Sequence, residues 1–195
     1  YVGLDPRKEN HPIYNQQAEY YNSHLTMFET PKTTKFHCEA AEDFNYEDYE
    51  DTFDIIFTSP PYFNVERYSH DDTQSWVRYK DINNWNTQFL QKALDNMLPT
   101  LRSGGKLCVN ISDVYSPSAG KKAWSKICDP MNEFLDEYTD MEYKGCIGME
   151  MAKRPNSGGA GTAKDTKQYT EESLQLAKET KDKRFCEPVW IWEKK

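Results

Sequence analysis

The 195-residue sequence predicts an α/β fold, with a mainly parallel sheet covered by helices on both faces. Two observations lead to it. The run Phe53 to Thr58 (FDIIFT) is β-branched and aromatic with turn signals on either side, as a buried strand should be. The stretch 84–101 places Trp85, Phe89, Leu90, Ala93, Leu94, Met97, Leu98 and Leu101 on one helical stripe. Strands and helices alternating at this spacing make βαβ units, whose ligand site lies at the carboxyl ends of the strands.

The remaining elements follow in order. Val2 to Leu4 is a short strand stopped by Asp5-Pro6, because proline removes a backbone donor. Tyr14, Ala18, Tyr21, Leu25 and Phe28 share a face and predict a helix over 13–29. Lys35 to Cys38 is a second strand, followed by acid-rich chain through Asp51. Residues 63–83 lack periodicity and form a long loop with at most one helical turn, and long loops in compact domains are usually functional. Ser103-Gly104-Gly105 stops the helix 84–101, and Lys106 to Ile111 (KLCVNI) is the next strand. A loop over 112–120, a helix over 121–138 interrupted at Pro130, and strands at 143–151 and 189–193 complete the pattern. The Gly-rich, polar stretch 152–168 is expected to be a flexible loop, with a polar helix after it at 170–181.

Composition narrows the function. With 37% hydrophobic residues the chain can build a core, and 1–195 reads as a single domain. Lys plus Arg number 24 against 32 Asp plus Glu, a formal charge of −8, so any nucleic-acid partner must be held by a local basic patch. The five cysteines show no CxxC spacing, and no signal peptide or membrane-length apolar run is present, which predicts a reduced, cytoplasmic chain. His11, His24, His37 and His70 are scattered without ligand spacing, so no metal site is expected.

The chemistry concentrates at Thr58-Ser59-Pro60-Pro61-Tyr62-Phe63, directly after FDIIFT. Two prolines fix their φ angles and donate nothing, so the chain leaves the sheet along a rigid path with free carbonyls. The Ser59 hydroxyl and the Pro60 carbonyl are acceptors for an amino group on a planar ring, and Tyr62 offers a face on which that ring can stack.

SPPY after such a strand resembles motif IV of the S-adenosylmethionine-dependent DNA amino-methyltransferases, which modify cytosine N4 or adenine N6. Other segments are similar to that family in order: Tyr1-Val2-Gly3-Leu4-Asp5 to its second strand, residues 36–44 to its third strand and adenine loop, Ser103-Gly104-Gly105-Lys106-Leu107 to its fifth-strand turn, and Glu187-Pro188-Val189-Trp190-Ile191-Trp192 to its closing strand. The resemblance implies a Rossmann-like methyltransferase fold with S-adenosylmethionine as cofactor. Asp5, with Pro6, would bind the cofactor ribose, Ala40, Ala41 and Glu42 would line the adenine site, and Ser59 would also touch the cofactor. Ser59, Pro60, Pro61 and Tyr62 would be catalytic. Tyr62, Phe63 and Arg67 would meet the target base, while Lys153 and Arg154, with Lys164 and Lys167, would reach DNA phosphates.

Two departures from the family stand out. Its glycine-rich first motif should precede Tyr1, so the sequence reads as amino-terminally truncated with the first strand missing; Gly158-Gly159-Ala160-Gly161 is a poor substitute, because it follows no apolar strand. Ala40 stands where relatives often carry an acid, which leaves Glu39 or Glu42 for the adenine contact. A missing central strand would expose unpaired backbone. Either Val2 to Leu4 shifts to pair with FDIIFT, or another chain fills the gap by association at the open edge.

The reaction implied is methyl transfer to an exocyclic amino group of a base flipped out of duplex DNA, with Ser59 favouring cytosine N4 over adenine N6. An RNA amino group and an inactive fragment are the alternatives, and Ser59 weighs against protein amides. Restriction-modification is one of several roles that share this chemistry.

Overall fold

The computed structural model describes residues 1–116, 123–150 and 186–195. Strands β1 (Val2–Leu4) and β2 (Lys35–His37) pair in parallel as a two-stranded sheet, with helix α1 (His11–Ser23) as the crossover between them. Strands β3 (Phe53–Thr58), β4 (Leu101–Asn110), β7 (Met141–Glu150) and β8 (Cys186–Lys194) form a four-stranded sheet in the order β3-β4-β8-β7. β3 and β4 are parallel, and β8 runs antiparallel to both β4 and β7. Three of the four strands therefore point the same way, with β8 the reversed one. β5 (Val114–Ser116) and β6 (Ala123–Ser125) pair antiparallel as a second two-stranded sheet. The expected loop at 152–168 and the expected polar helix at 170–181 lie outside the described residues.

The core lies on one face of the four-stranded sheet. Leu107 and Val109 of β4 point to it, flanked by Ile56 of β3 and by Trp190 and Trp192 of β8. Above them pack Trp85, Leu90 and Leu94 of one helical run, and Met131 and Leu135 of α5 (Cys128–Asp136). That run contains α2 (Ser75–Arg78) upstream, then α3 (Ile82–Asn84), a π-helical stretch at Trp85–Gln91, α4 (Lys92–Met97) and a 3-10 turn at Leu98–Thr100. The π stretch widens the helix where the Trp85 and Phe89 rings pack in the core at a tilt, their centroids 5.1 Å apart. On the opposite face, β3 leaves Ile55 and Phe57 61% and 60% exposed.

Several expectations shift. The helix of 84–101 ends at the Pro99 turn, so Ser103-Gly104-Gly105 is not its stop but a bulge inside β4. Between the pairs Phe53↔Leu101 and Ile55↔Lys106 the register slips, and Gly104 turns the chain with φ +78°. A Cβ on Gly105 would meet the Arg102 and Phe53 carbonyl oxygens at 2.8 and 3.0 Å, so close backbone approach demands glycine there. The helix expected over 121–138 is shortened to α5, because β6 takes residues 123–125. Strand β1 does not shift to β3. The Lys35 amide bonds the Tyr1 carbonyl and the Asp5 amide the His37 carbonyl, at 3.0 and 3.1 Å, which locks β1 onto β2. Among the described residues no strand pairs with the outer edge of β3.

The start of α5 rests on Asp113, just past β4. Its Oδ1 accepts the Ile127 and Cys128 amides at 2.9 and 3.0 Å, and its Oδ2 meets Lys126 Nζ at 2.9 Å. Burial by itself would raise this carboxyl, but the two amides and the Lys126 ammonium outweigh it and hold it below the ordinary aspartate value. Such a group stabilises the fold fully above the unfolded value of 3.8 and loses its contribution as pH falls through the lower folded value. Asp113→Asn is expected to cost about 2–3 kcal/mol in urea unfolding at pH 7, as a buried charged hydrogen-bond acceptor does. The gap to the parent chain should close below pH 3.8; an equal gap at pH 7 and pH 3 would contradict this account.

Candidate functional site

The carboxyl ends of β1 and β3 open into one cavity of about 440 Å³. Leu4, Asp5 and Pro6 enter it from the first sheet and Thr58, Ser59, Pro60 and Pro61 from the second, with Ala40 and Ala41 from the loop after β2. Two chain segments more than fifty residues apart thus meet where parallel strands end. Leu90, Ala93, Leu94 and Met97 of the helical run supply an apolar side.

Asp5 is tightly held. Its Oδ1 accepts the Arg7 amide at 2.8 Å and its Oδ2 accepts Asn10 Nδ2 at 2.8 Å and the Tyr14 hydroxyl. Partial burial would raise the carboxyl, but the Asn10, Tyr14 and Arg7 hydrogen bonds prevail and keep it below the usual aspartate value. The group is ionised at neutral pH and fixed in orientation. A carboxylate has about four lone-pair sites, so one remains for a ligand hydroxyl.

Ser59 is oriented from the other side. Asn110, at the end of β4, donates Nδ2 to the Pro188 carbonyl at 3.0 Å, which turns its Oδ1 toward Ser59 Oγ at 3.3 Å. Ser59 must therefore donate its proton to Asn110, and its oxygen lone pairs are left for an incoming N–H. The next carbonyls are already used, Pro61 by the Phe63 amide and Tyr62 by the Val65 amide, both at 2.9 Å. The Pro60 carbonyl takes no backbone amide among the described residues.

Beyond the prolines the chain turns sharply. Phe63 adopts φ +43°, a left-handed conformation costly for a non-glycine residue, and its side chain goes into the core against Trp85, ring centroids 6.1 Å apart. Phe63 is therefore packed inside rather than placed in the cavity wall, because burying its ring holds the turn. Tyr62 is half-buried, packs against the core and is not part of the cavity wall. Its amide donates to Glu66 at 3.0 Å and its hydroxyl to Glu187 at 3.4 Å. Burial first, and then the Glu187 and Glu66 charges, push the phenol well above its ordinary value, so it is a neutral donor.

The other sequence-derived candidates divide. Asp5, Pro6, Ala40, Ala41 and Ser59 reach the cavity. Glu42 does not: it is 1% exposed, and its Oε1 accepts Arg78 Nη1 at 2.7 Å and the Tyr79 hydroxyl at 3.3 Å. A carboxylate buried that deeply needs a cation, and Arg78 takes it away from any ligand. Burial raises the Glu42 carboxyl, with Arg78 opposing. Arg67 is exposed, its guanidinium 5.0 Å above the Trp76 ring, and it also stands outside the cavity wall. Lys153 and Arg154, with the Gly158 to Gly161 run, lie outside the described residues.

Sequence reasoning missed Arg7, Asn10 and Tyr14, and also Tyr68, Gln74 and Ser75, which all line the cavity. Their signal was indirect. The polar, aperiodic stretch 63–83 marked a functional loop without naming the residues it would turn inward. Among the described residues no three His, Cys, Asp or Glu side chains cluster as a metal site would. No helix there is long and apolar enough to cross a membrane.

Comparison with known proteins gives the geometry its family. Among solved structures, a protein of Thermus thermophilus, provisionally described as a DNA modification methylase and complexed with S-adenosyl-L-methionine, is 14% identical with a TM-score of 0.50 over 80% of this chain and 53% of its own. The MccD protein is 14% identical, TM-score 0.50, over 100% and 79%. PH0851 is 12% identical, TM-score 0.51, over 99% and 36%. At these identities the likeness is one of fold, and it is the Rossmann-like methyltransferase fold; the chain spans about half the length of the Thermus protein. No curated protein sequence matches. The family profile N6_N4_Mtase, described as DNA methylase, matches residues 53–194, from the first residue of β3 to the last of β8. With well over half of its length matched, the chain belongs to this DNA methylase family.

Proposed function

We propose that this chain is the catalytic part of a DNA amino-methyltransferase, which moves the methyl group of S-adenosylmethionine to an exocyclic amino group of a base turned out of the duplex. The observation that carries the reading is the meeting of Asp5 and Ser59-Pro60 in one cavity. Its volume suits a nucleoside-sized ligand. A fixed carboxylate for ribose hydroxyls stands in its wall, with an apolar helix face and a free acceptor pair. These residues fit S-adenosylmethionine, which supplies an electrophilic methyl group when bound. The DNA methylase family and a fold neighbour complexed with that molecule support the same choice.

The chain's residues then do three things. Asp5 accepts from the ribose and fixes where the reacting end lies. Ser59 Oγ and the Pro60 carbonyl accept the two N–H bonds of the target amino group, which turns the nitrogen lone pair out of ring conjugation and toward the methyl. Tyr62, steadied by Glu187, offers its ring to the flipped base. Catalysis is mainly positioning, with no side chain needed to take a proton before transfer. Ser59, in the first position of the motif, favours cytosine N4 over adenine N6. Lys153 and Arg154 are assigned to DNA phosphates, which a chain of net charge −8 must meet through a local patch.

The test is transfer of labelled methyl to duplex DNA, followed by nucleoside analysis. N4-methylcytosine is the expected product; N6-methyladenine would reverse the base preference, and label appearing only in RNA, or nowhere, would overturn the reading. Ser59→Ala should lower kcat about 10²-fold, the size of one lost polar contact to the reacting group, with the KM for cofactor held. Tyr62→Phe should retain most activity, whereas Tyr62→Ala should raise the KM for DNA by the about 1–3 kcal/mol of a base stack. The outer edge of β3, unpaired among the described residues and with Ile55 and Phe57 exposed, is assigned to pairing with a second chain. Sedimentation should show concentration-dependent association of the parent chain that Phe57→Lys weakens; a monomer at every concentration would rule this out.

A further inference from the structure

The cavity has a wall that the reaction just described does not use. Gln74 and Ser75 line it and are buried, although the chain just before them, at Asp71 to Thr73, is exposed. Ser75 is 5% exposed, and its Oγ is buried without a hydrogen-bond partner among the described residues. A buried hydroxyl left unpaired is unfavourable, and the cavity that Ser75 lines is the space beside it from which a bound molecule can supply a partner.

The segment is brought there by charge. Helix α2 is a single turn, too short to hold itself. One turn beyond Ser75, Arg78 bridges two carboxylates, with Nη1 2.7 Å from Glu42 and Nη2 2.7 Å from Asp43. Lys92 closes the network on Asp43 at 2.9 Å, and the Tyr79 hydroxyl bonds Glu42 at 3.3 Å. Glu42 and Asp43 directly follow Ala40-Ala41, which line the same cavity. The bridge therefore fastens Ser75 beside the Ala40-Ala41 wall, a separate part of the chain from Ser59.

We infer that Ser75 is a binding residue for the purine end of the nucleoside ligand, and that Arg78 is the positioning residue that holds it there. This rests on the cofactor reading above and extends it to residues with no part in methyl transfer. It also answers the departure at Ala40: the polar contact to the purine comes from the loop after the prolines instead of from the loop after β2.

Calorimetric titration of the full chain with S-adenosylmethionine and, separately, with adenosine tests it. Ser75→Ala should weaken both ligands by the same factor, about 5- to 10-fold, the value of one neutral hydrogen bond. The Tm of the unliganded variant should equal or exceed that of the parent, since the lost hydroxyl had no partner. Arg78→Gln should weaken both ligands, and Ser75→Ala added to it should cost little more, a non-additivity that a merely structural arginine would not produce. Arg78→Lys should not restore binding, because one ammonium cannot span two carboxylates as the guanidinium fork does. Normal binding by Ser75→Ala, with Asp5→Asn impaired, would overturn this inference and leave the cofactor reading standing. A folded parent chain that binds neither ligand would overturn both.

Discussion

Everything in the site depends on β4 being buried and paired on both edges. Its Leu107 and Val109 side chains are fully enclosed between the sheet and the helical run, so its position is set by packing. Parallel pairing with β3 then places Thr58 opposite Val109, and the chain beyond both strands emerges at the same end. Ser59 and Asn110 become neighbours for that reason, and Asp113, three residues on, becomes the anchor of α5. One close-packed strand thus fixes an acceptor group and the support behind it. Rigidity is what a positioning reaction requires, since small displacements of the acceptor pair would misdirect the nitrogen lone pair.

A second constraint is electrostatic. Asp5 and Glu42 both follow strand ends of the first sheet, yet they are solved differently. Asp5 gathers neutral donors and stays ionised with capacity to spare, while Glu42 is driven into the interior and needs Arg78. Isolated surface ion pairs are worth little, but a buried carboxylate deprived of its cation is costly. The loop after Pro60-Pro61 is therefore tied to the loop after β2 through the interior. The strained Phe63 turn lies at the start of that tether, its left-handed backbone compensated by a ring buried against Trp85. Strain at one end and a charge bridge at the other leave the intervening loop little freedom of path.

The asymmetry of the sheet has the same physical root. One face is closed by helices, whereas β3 presents Ile55 and Phe57 on the other with its outer edge unpaired among the described residues. Apolar surface and open backbone edges are both unfavourable in water, so this side of the molecule is where pairing or covering gains most.

What the sequence alone determined were the local and periodic features. The β-branched run at 53–58 and the stripe at 84–101 announced the strand and helix that make the core, and the double proline announced a rigid acceptor turn at a strand end. Ser59 was singled out by the double proline after FDIIFT and Asp5 by the family resemblance of the strand before it, and both residues line the cavity. The tertiary structure decided what depends on neighbours distant in the chain. Glycines at 104 and 105 read as a helix stop but became a bulge, because β4 pairs β3 from Leu101 onward and the Phe53 carbonyl comes too close for any Cβ. Glu42 read as a ligand group but was spent on Arg78, thirty-six residues away. Ser75 carried no signal of its own beyond lying in the aperiodic loop 63–83, since a single serine there acquires meaning only when burial removes its water and a cavity opens beside it. Periodicity reports which face of an element is buried; it does not report which polar groups the closed core leaves unpaired.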